Sequence, residues 1–253
     1  MPTLEEIAAL SGVSRSTVSR VINDDPHVSD ETRKKVLAVV EALNYRPNLA
    51  ARGLAAGRTG VLGFFVPASI SRLFSDPYFS ALLEGVSGAC NRRNCGLMFW
   101  LDEREQESRK VGYFIDNGLI DGVVISSFLR DDPILGRLQE RNLPTVLIGR
   151  PPEGLAMPHV DVDNRGSAYR IVEHLLNLGH RRIATIAGPQ SSMVGQDRLA
   201  GYRDALRALA PLETMLVVEA TFDELSGYKA MQALLPQTPD AVFAASDTMA
   251  RGA

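Results

Sequence analysis

Leu4, Ile7 and Ala8 recur at spacings of three and four, which places them on one face of a short helix. Gly12 then breaks the pattern as a turn residue able to take positive φ. Ser14 suits the N-cap of a second helix, in which Val18, Val21 and Ile22 share a face. At about 100° per residue, Ser16 and Arg20 point the opposite way, with Asn23 near them and Arg15 on the first turn. Asn23-Asp24-Asp25-Pro26 reads as a loop. Ser29 caps a third helix, with Asp30 and Glu31 in its first turn and a core stripe of Val36, Val39, Val40 and Leu43. Three short helices around one small core, the first two joined by a tight glycine turn, form a helix-turn-helix unit.

The pattern then changes. Pro47 suits the first position of a helix, Ala50, Ala51 and Leu54 lie on one side of it, and Gly57 stops it. A helix of about two turns is marginal in water, and Gly53 weakens it further, so the pattern predicts a segment ordered only when something packs on it. From Val61 onward strand and helix signals alternate. Strands are predicted at 61–66, 97–101, 122–125 and 145–148, with helices at 77–93, 103–117 and 133–141 between them. A second series follows, with strands at 159–162, 182–187, 216–218 and 241–244 and helices at 165–178, 196–209 and 224–235. Such alternation means parallel sheets covered on both faces. Pro151, Pro152 and Pro158 mark the break between two doubly wound subdomains, each with ligand space at the carboxyl ends of its strands.

Composition changes this picture little: 253 residues, 45% hydrophobic and 23% charged, are ordinary for a globular chain of one large and one small domain or of two ordinary ones. No uncharged apolar run approaches a bilayer span, and Met-Pro-Thr-Leu-Glu-Glu opens without a secretory pattern. Cys90 and Cys95 have neither zinc-knuckle nor redox-pair spacing, so the expectation is a cytoplasmic chain with two reduced thiols. The net charge of −3 argues against nucleic acid until it is resolved along the chain. Residues 14–23 hold Arg15 and Arg20 and no acid, and residues 42–60 hold Arg46, Arg52 and Arg58 and no acid. Phosphate responds to such local clusters. The residue pattern alone leaves two readings of residues 14–23 open: a helix that enters a DNA major groove, or the solvated face of a small scaffold.

The string from Thr3 to Asn23, Thr-Leu-Glu-Glu-Ile-Ala-Ala-Leu-Ser-Gly-Val-Ser-Arg-Ser-Thr-Val-Ser-Arg-Val-Ile-Asn, closely resembles the DNA-binding headpiece of the lactose-repressor family of bacterial transcription regulators. Val28-Ser-Asp-Glu-Thr-Arg-Lys-Lys-Val36 and Leu43-Asn-Tyr-Arg-Pro-Asn48 continue the match without a gap. The resemblance implies that Arg15 and Ser16 occupy the recognition positions that vary with operator sequence. Thr17, Ser19 and Arg20 match more uniform contact positions, and Ser14, Asn23, Asn48 and Arg52 complete the expected DNA-binding set. It further implies that the hinge folds on DNA beside its copy from a second subunit. Leu54 would then wedge into the minor groove at the centre of a pseudo-palindromic double-stranded operator. Gly53 departs mildly from the family pattern, which raises the ordering cost.

Asp76-Pro-Tyr-Phe79, Val162-Asp-Asn164, the run from His174 to Ile183, Gly188-Pro189, Arg198-Leu-Ala-Gly-Tyr202 and Ala245-Ser-Asp-Thr-Met-Ala250 extend the resemblance to the periplasmic-binding-protein-like core of that family. The organisation expected is a headpiece at 1–46, a hinge helix and linker at 47–60, an N-terminal core subdomain at 61–157 and an incomplete C-terminal one at 158–253. By resemblance the effector residues are Tyr78, Phe79, Arg198, Phe222 and Ser246. Core packing is the alternative for Tyr78 and Phe79, and loop anchoring the alternative for Phe222. Arg198 is the best of the set, because a guanidinium entering such a cleft needs an acceptor there. Ser246 is shorter than the Asn often found at its position. Ser192 replaces an Arg of purine-binding members, which favours a sugar, while Gly149 lacks the carboxylate that some members aim at sugar hydroxyls.

The family continues beyond the point matched by residue 253, so the chain reads as a fragment or short form, and the strand at 241–244 is expected to leave a sheet edge unpaired. The function expected is a homodimeric DNA-binding regulator, a repressor, controlled by a small carbohydrate effector, with no membrane partner and no cofactor. An inactive truncation product, a solute-binding protein without DNA activity and a Rossmann-type enzyme are the competing readings. The last has little support. Gly57, Gly60 and Gly63 are unevenly spaced and precede a strand, His27, His159, His174 and His180 lack metal-ligand spacing, and no nucleophile elbow or triad order occurs.

Overall fold

The computed structural model describes residues 2–46, 58–66, 70–101, 108–126, 130, 132–210 and 214–253. Met1–Thr59 and Gly60–Ala253 form separate compact units. In the first unit α1 spans Leu4–Ser11, α2 Arg15–Ile22 and α3 Asp30–Ala42. Each begins where a side chain can accept from an otherwise unpaired backbone N–H. Thr3 and Glu6 form a reciprocal capping box, Ser14 accepts from Thr17 and Ser29 from Thr32. Gly12 ends α1 at φ 68°, a conformation that costs glycine nothing, and so turns the chain into α2. The buried core is Ile7, Ala8, Val18, Val21 and Val36, ringed by half-buried residues that include Ile22, Val39, Val40 and Leu43. Burying an aliphatic side chain contributes about 1.5–3 kcal/mol, so a core this small leaves the unit only modestly stable. Arg33 of α3 reaches back to the Asp24 carboxylate at 2.5 Å and the Asp25 carbonyl at 2.6 Å, fixing the loop after α2.

The second unit contains two parallel sheets. The first has the order β2-β1-β3-β4-β5, formed by Gly96–Leu101, Val61–Val66, Gly122–Ser126, Thr145–Ile148 and His159–Val160. The second has the order β7-β6-β8, formed by Leu216–Glu219, Ile183–Ala187 and Ala241–Ala244. Helices α4 (Ile70–Ser75), α5 (Pro77–Arg92), α6 (Ser108–Asp116) and α7 (Pro133–Glu140) belong to the first lobe. Helices α8 (Asn164–Asn177), α9 (Met193–Leu209), α10 (Glu224–Leu234) and α11 (Asp247–Gly252) belong to the second. Alternating strand residues feed two cores in each lobe. Phe64 and Val66 pack on one face of β1 and Phe65 on the other, while Ile183 and Ala187 oppose Ala184 and Ile186 across β6. Tyr202 of α9 is fully buried and fastens its helix to the sheet. Its hydroxyl donates to the Ile183 carbonyl and accepts from the Leu216 N–H, and burial pushes its pKa up to about 12.

One strand belongs elsewhere than the sequence pattern predicts. His159–Val160 does not open the second series but pairs in parallel with β4 and forms the edge of the first sheet. The proline-rich stretch before it is a loop within the first lobe, since Leu155 and Met157 pack on that lobe's core. The first sheet thus extends past 157, and the crossing to the second lobe follows Val160. A two-residue exposed strand carries no hydrophobic period, so only its pairing could assign it. The pattern also misses α4, and α9 starts earlier than predicted, at Met193, capped by Ser192. The predicted start of the helix at 103–117 lies outside the described residues, as does the predicted hinge helix, with Asn48, Arg52 and Leu54. Strand β8 pairs with β6 alone among the described residues and lies at a sheet edge, as expected.

Candidate functional site

Helix α2 presents a polar outer surface because its apolar residues are consumed inside: Val18 is wholly buried and Val21 nearly so. Ser14, Arg15, Ser16, Arg20 and Asn23 are exposed, and Thr17 and Ser19 partly so. The Ser14 hydroxyl lies 2.8 Å from both the Ser16 and the Thr17 hydroxyls, so the three form one cluster over the helix N-terminus. No acid occupies the first turn, which leaves the positive end of the helix open to phosphate. Arg15 pairs through Nε with Glu5 of α1 at 2.9 Å, and Arg20 lies 4.0 Å from the Asp25 carboxylate. That carboxylate is held below its ordinary pKa chiefly by the His27 backbone N–H, then by the His27 side chain, with a smaller contribution from Arg20. Asn23 donates to the Ser19 hydroxyl at 3.4 Å. Every residue predicted to touch DNA from α2 thus retains solvent-accessible surface.

In the second unit the carboxyl ends of β3, β4, β6 and β8 gather a different set. Tyr78, half exposed, has its hydroxyl 3.4 Å from that of Ser126, a fully buried residue at the end of β3. Arg198 of α9 donates from Nε to Asn164 at 2.9 Å and from a terminal nitrogen to the carbonyl of Ala245, just past β8. Burial pushes its pKa below the usual arginine value, opposed by Tyr78, Asp161 and Asp247, which are near enough to act on its charge. Tyr78 of one lobe is thus among the groups that act on the charge of Arg198 in the other. Ser246 lies beside this group, but its hydroxyl oxygen is already engaged in capping α11, where it accepts from Met249. Phe222 holds φ at 61° and lays its ring against Gly188, where no larger residue fits, and it packs on the second lobe's core. This is the arrangement of a loop anchor. Phe79 is not a cleft residue: it is 1% exposed and packed with Phe64, Val66 and Leu73, so no face of its ring remains for a ligand. Its ring meets that of Tyr78 edge-on at 5.2 Å and so supports the neighbouring aromatic.

Four residues of this region were not singled out from sequence. Arg150, just past β4, forms a two-point ion pair with Asp197 of α9, Nε to Oδ2 at 3.0 Å and Nη2 to Oδ1 at 2.8 Å. The hydrogen bonds to Asp197 hold its pKa above the ordinary arginine value. Asn164 is 4% exposed. Its amide nitrogen donates to Asp161 and to the Val162 carbonyl while its oxygen accepts from Arg198. The strings containing Asn164 and Gly149-Arg150 were visible, but their partners lie far along the chain. Met193 adds an apolar tie between lobes by packing into the first lobe's core.

Residues 3–48 match the family of bacterial regulatory proteins described as the lacI family, and residues 59–253 match the periplasmic binding proteins and sugar binding domain of that family. The chain belongs to the lacI family. It is therefore a transcription regulator whose second unit is of the sugar-binding type. It is 41% identical over 256 residues to the HTH-type transcriptional regulator CelR of Thermobifida fusca, covering 98% of this chain and 74% of the relative. A solved complex of the transcriptional regulator CelR with cellobiose has a TM-score of 0.71 at 39% identity, covering 98% of this chain and 75% of that one. The lac repressor dimer bound to operator and the anti-inducer ONPF has a TM-score of 0.80 at 27% identity, covering 99% and 76%. Among the described residues no helix is long and apolar enough to cross a membrane.

Proposed function

We propose that this lacI-family regulator is a repressor that acts in the cytoplasm as a homodimer on a pseudo-palindromic operator and that a sugar between the core lobes changes its operator affinity. Ser14, Arg15, Ser16, Thr17, Ser19, Arg20 and Asn23 would face the major groove, with Arg15 reading a base, and Asn48, Arg52 and Leu54 of the hinge would complete the contact. Support for the dimer and the operator comes from the likeness to the lac repressor complex. The effector proposed is a disaccharide such as cellobiose, in keeping with the CelR complex.

The observation that carries the effector reading is the partly buried Arg198 guanidinium, braced by Asn164 and the Ala245 carbonyl, with Tyr78 of the opposite lobe near enough to act on its charge. A guanidinium with donors to spare suits sugar hydroxyls, and a half-exposed phenol ring offers an apolar face to a pyranose. The test is binding-site selection from random duplexes at moderate salt, repeated with cellobiose, maltose and lactose. A two-fold-symmetric site whose retention changes with one of these sugars is the expected result. No preference among duplexes would refute DNA reading, and a symmetric site indifferent to every sugar would refute the proposed effector class.

A further inference from the structure

We infer that Glu5 is a positioning residue for base recognition, a buttress that sets which edge of the Arg15 guanidinium meets the DNA. The inference rests on the reading that Arg15 contacts a base. Glu5 stands on the first turn of α1 and Arg15 on the first turn of α2, and their charged groups meet at 2.9 Å through Nε. Both side chains are about two-thirds exposed, at 64% and 69%. An ion pair so wet contributes little to folding. Nor is Glu5 needed to start its helix, because Glu6 closes the capping box with Thr3. A carboxylate is also a poor choice for a DNA-facing surface as far as affinity goes, since phosphates repel it. Its place beside Arg15 is explained by geometry.

A guanidinium carries five N–H donors in a rigid fork. The carboxylate lies against Nε, at the side edge of the Arg15 fork, and among the described residues the two terminal nitrogens donate no hydrogen bond. Guanine offers O6 and N7 in the major groove to a pair of donors. The terminal pair is then the one left for a two-point contact, and the carboxylate biases the stem toward that placement by the modest amount an exposed ion pair supplies. The buttress therefore narrows the geometries in which Arg15 can bond, at the expense of some phosphate attraction. Base preference and general affinity should respond to its removal in opposite directions.

The experiment uses the full chain and Glu5→Gln, with Arg15→Ala beside it. Affinities are measured by competition on the selected operator, on operators substituted at each half-site pair, and on random duplex. The result expected for Glu5→Gln is a loss of about fivefold in discrimination at the base pair identified by Arg15→Ala, a fraction of what a full two-point contact supplies. Discrimination at other pairs should stay unchanged, and affinity for random duplex should rise about twofold as a repelling charge is removed. Headpiece thermal stability should be unaltered. Unchanged discrimination in Glu5→Gln, with Arg15→Ala still erasing it, overturns the buttress and leaves the Arg15 reading intact. No effect of Arg15→Ala at any base pair overturns the reading itself. A loss spread evenly over all positions together with lower thermal stability assigns Glu5 a structural part and also overturns the proposal.

Discussion

The headpiece and the cleft solve the problem of presenting polar groups in opposite ways. On α2 the groups proposed to meet DNA are neighbours in sequence: the Ser14–Ser16, Ser14–Thr17 and Ser19–Asn23 contacts span two, three and four residues. They need one helix with a buried back and nothing else. In the cleft the contacts span 34 residues from Asn164 to Arg198, 47 from Arg150 to Asp197 and 48 from Tyr78 to Ser126. Those groups converge only because parallel strands end together. A surface for a rigid groove can be built locally, whereas a surface that must enclose a small molecule has to be gathered from several strand ends.

The largest effect that would sharpen this contrast is at Arg198. Arg198→Ala should lower sugar affinity by about 100-fold, as loss of a partly buried charged hydrogen-bond donor does, while operator affinity without sugar holds. Calorimetric titration and gel shift together check it, and equal losses in both would break the separation of the two sites. Next is Val18, wholly buried beneath the reading face. Val18→Ala should cost about 2 kcal/mol, two methyl groups plus a small cavity, and a unit with so small a core should show it as an earlier unfolding transition. Scanning calorimetry should find the sugar-stabilised transition of the core unmoved. The smallest effect is at the tie between lobes. Arg150→Gln or Asp197→Asn should each change sugar affinity by about 1 kcal/mol, since the pair is only part-buried and salt-screened, and the double variant should lose no more than either single one. Additive losses in that cycle would show that the two residues act separately.

What could be read beforehand follows the same division. Thr3, Gly12, Ser14 and Ser29 announce the headpiece helices because a cap or a turn is a property of three or four adjacent residues. The strand-helix alternation of the core was legible for the same reason, each apolar run being bounded by its own turn. Partner choice was not. Nothing local tells His159–Val160 to join β4, and nothing near Arg150 reveals Asp197. Phe79 shows the converse: adjacent to Tyr78 and of the same chemical type, it turns inward because a helix points successive side chains about 100° apart. The resemblance located Arg198, but only the fold shows Asn164 bracing it.

Asp197 and Arg198 are consecutive on α9, yet the first grips Arg150 across the lobes and the second is bonded within its own lobe beside the cleft. If a sugar binds Arg198 as proposed, the adjoining carboxylate is only one peptide unit away. On that proposal, communication between an occupied pocket and the hold of one half on the other would need no extended relay, only a slight roll of one helix.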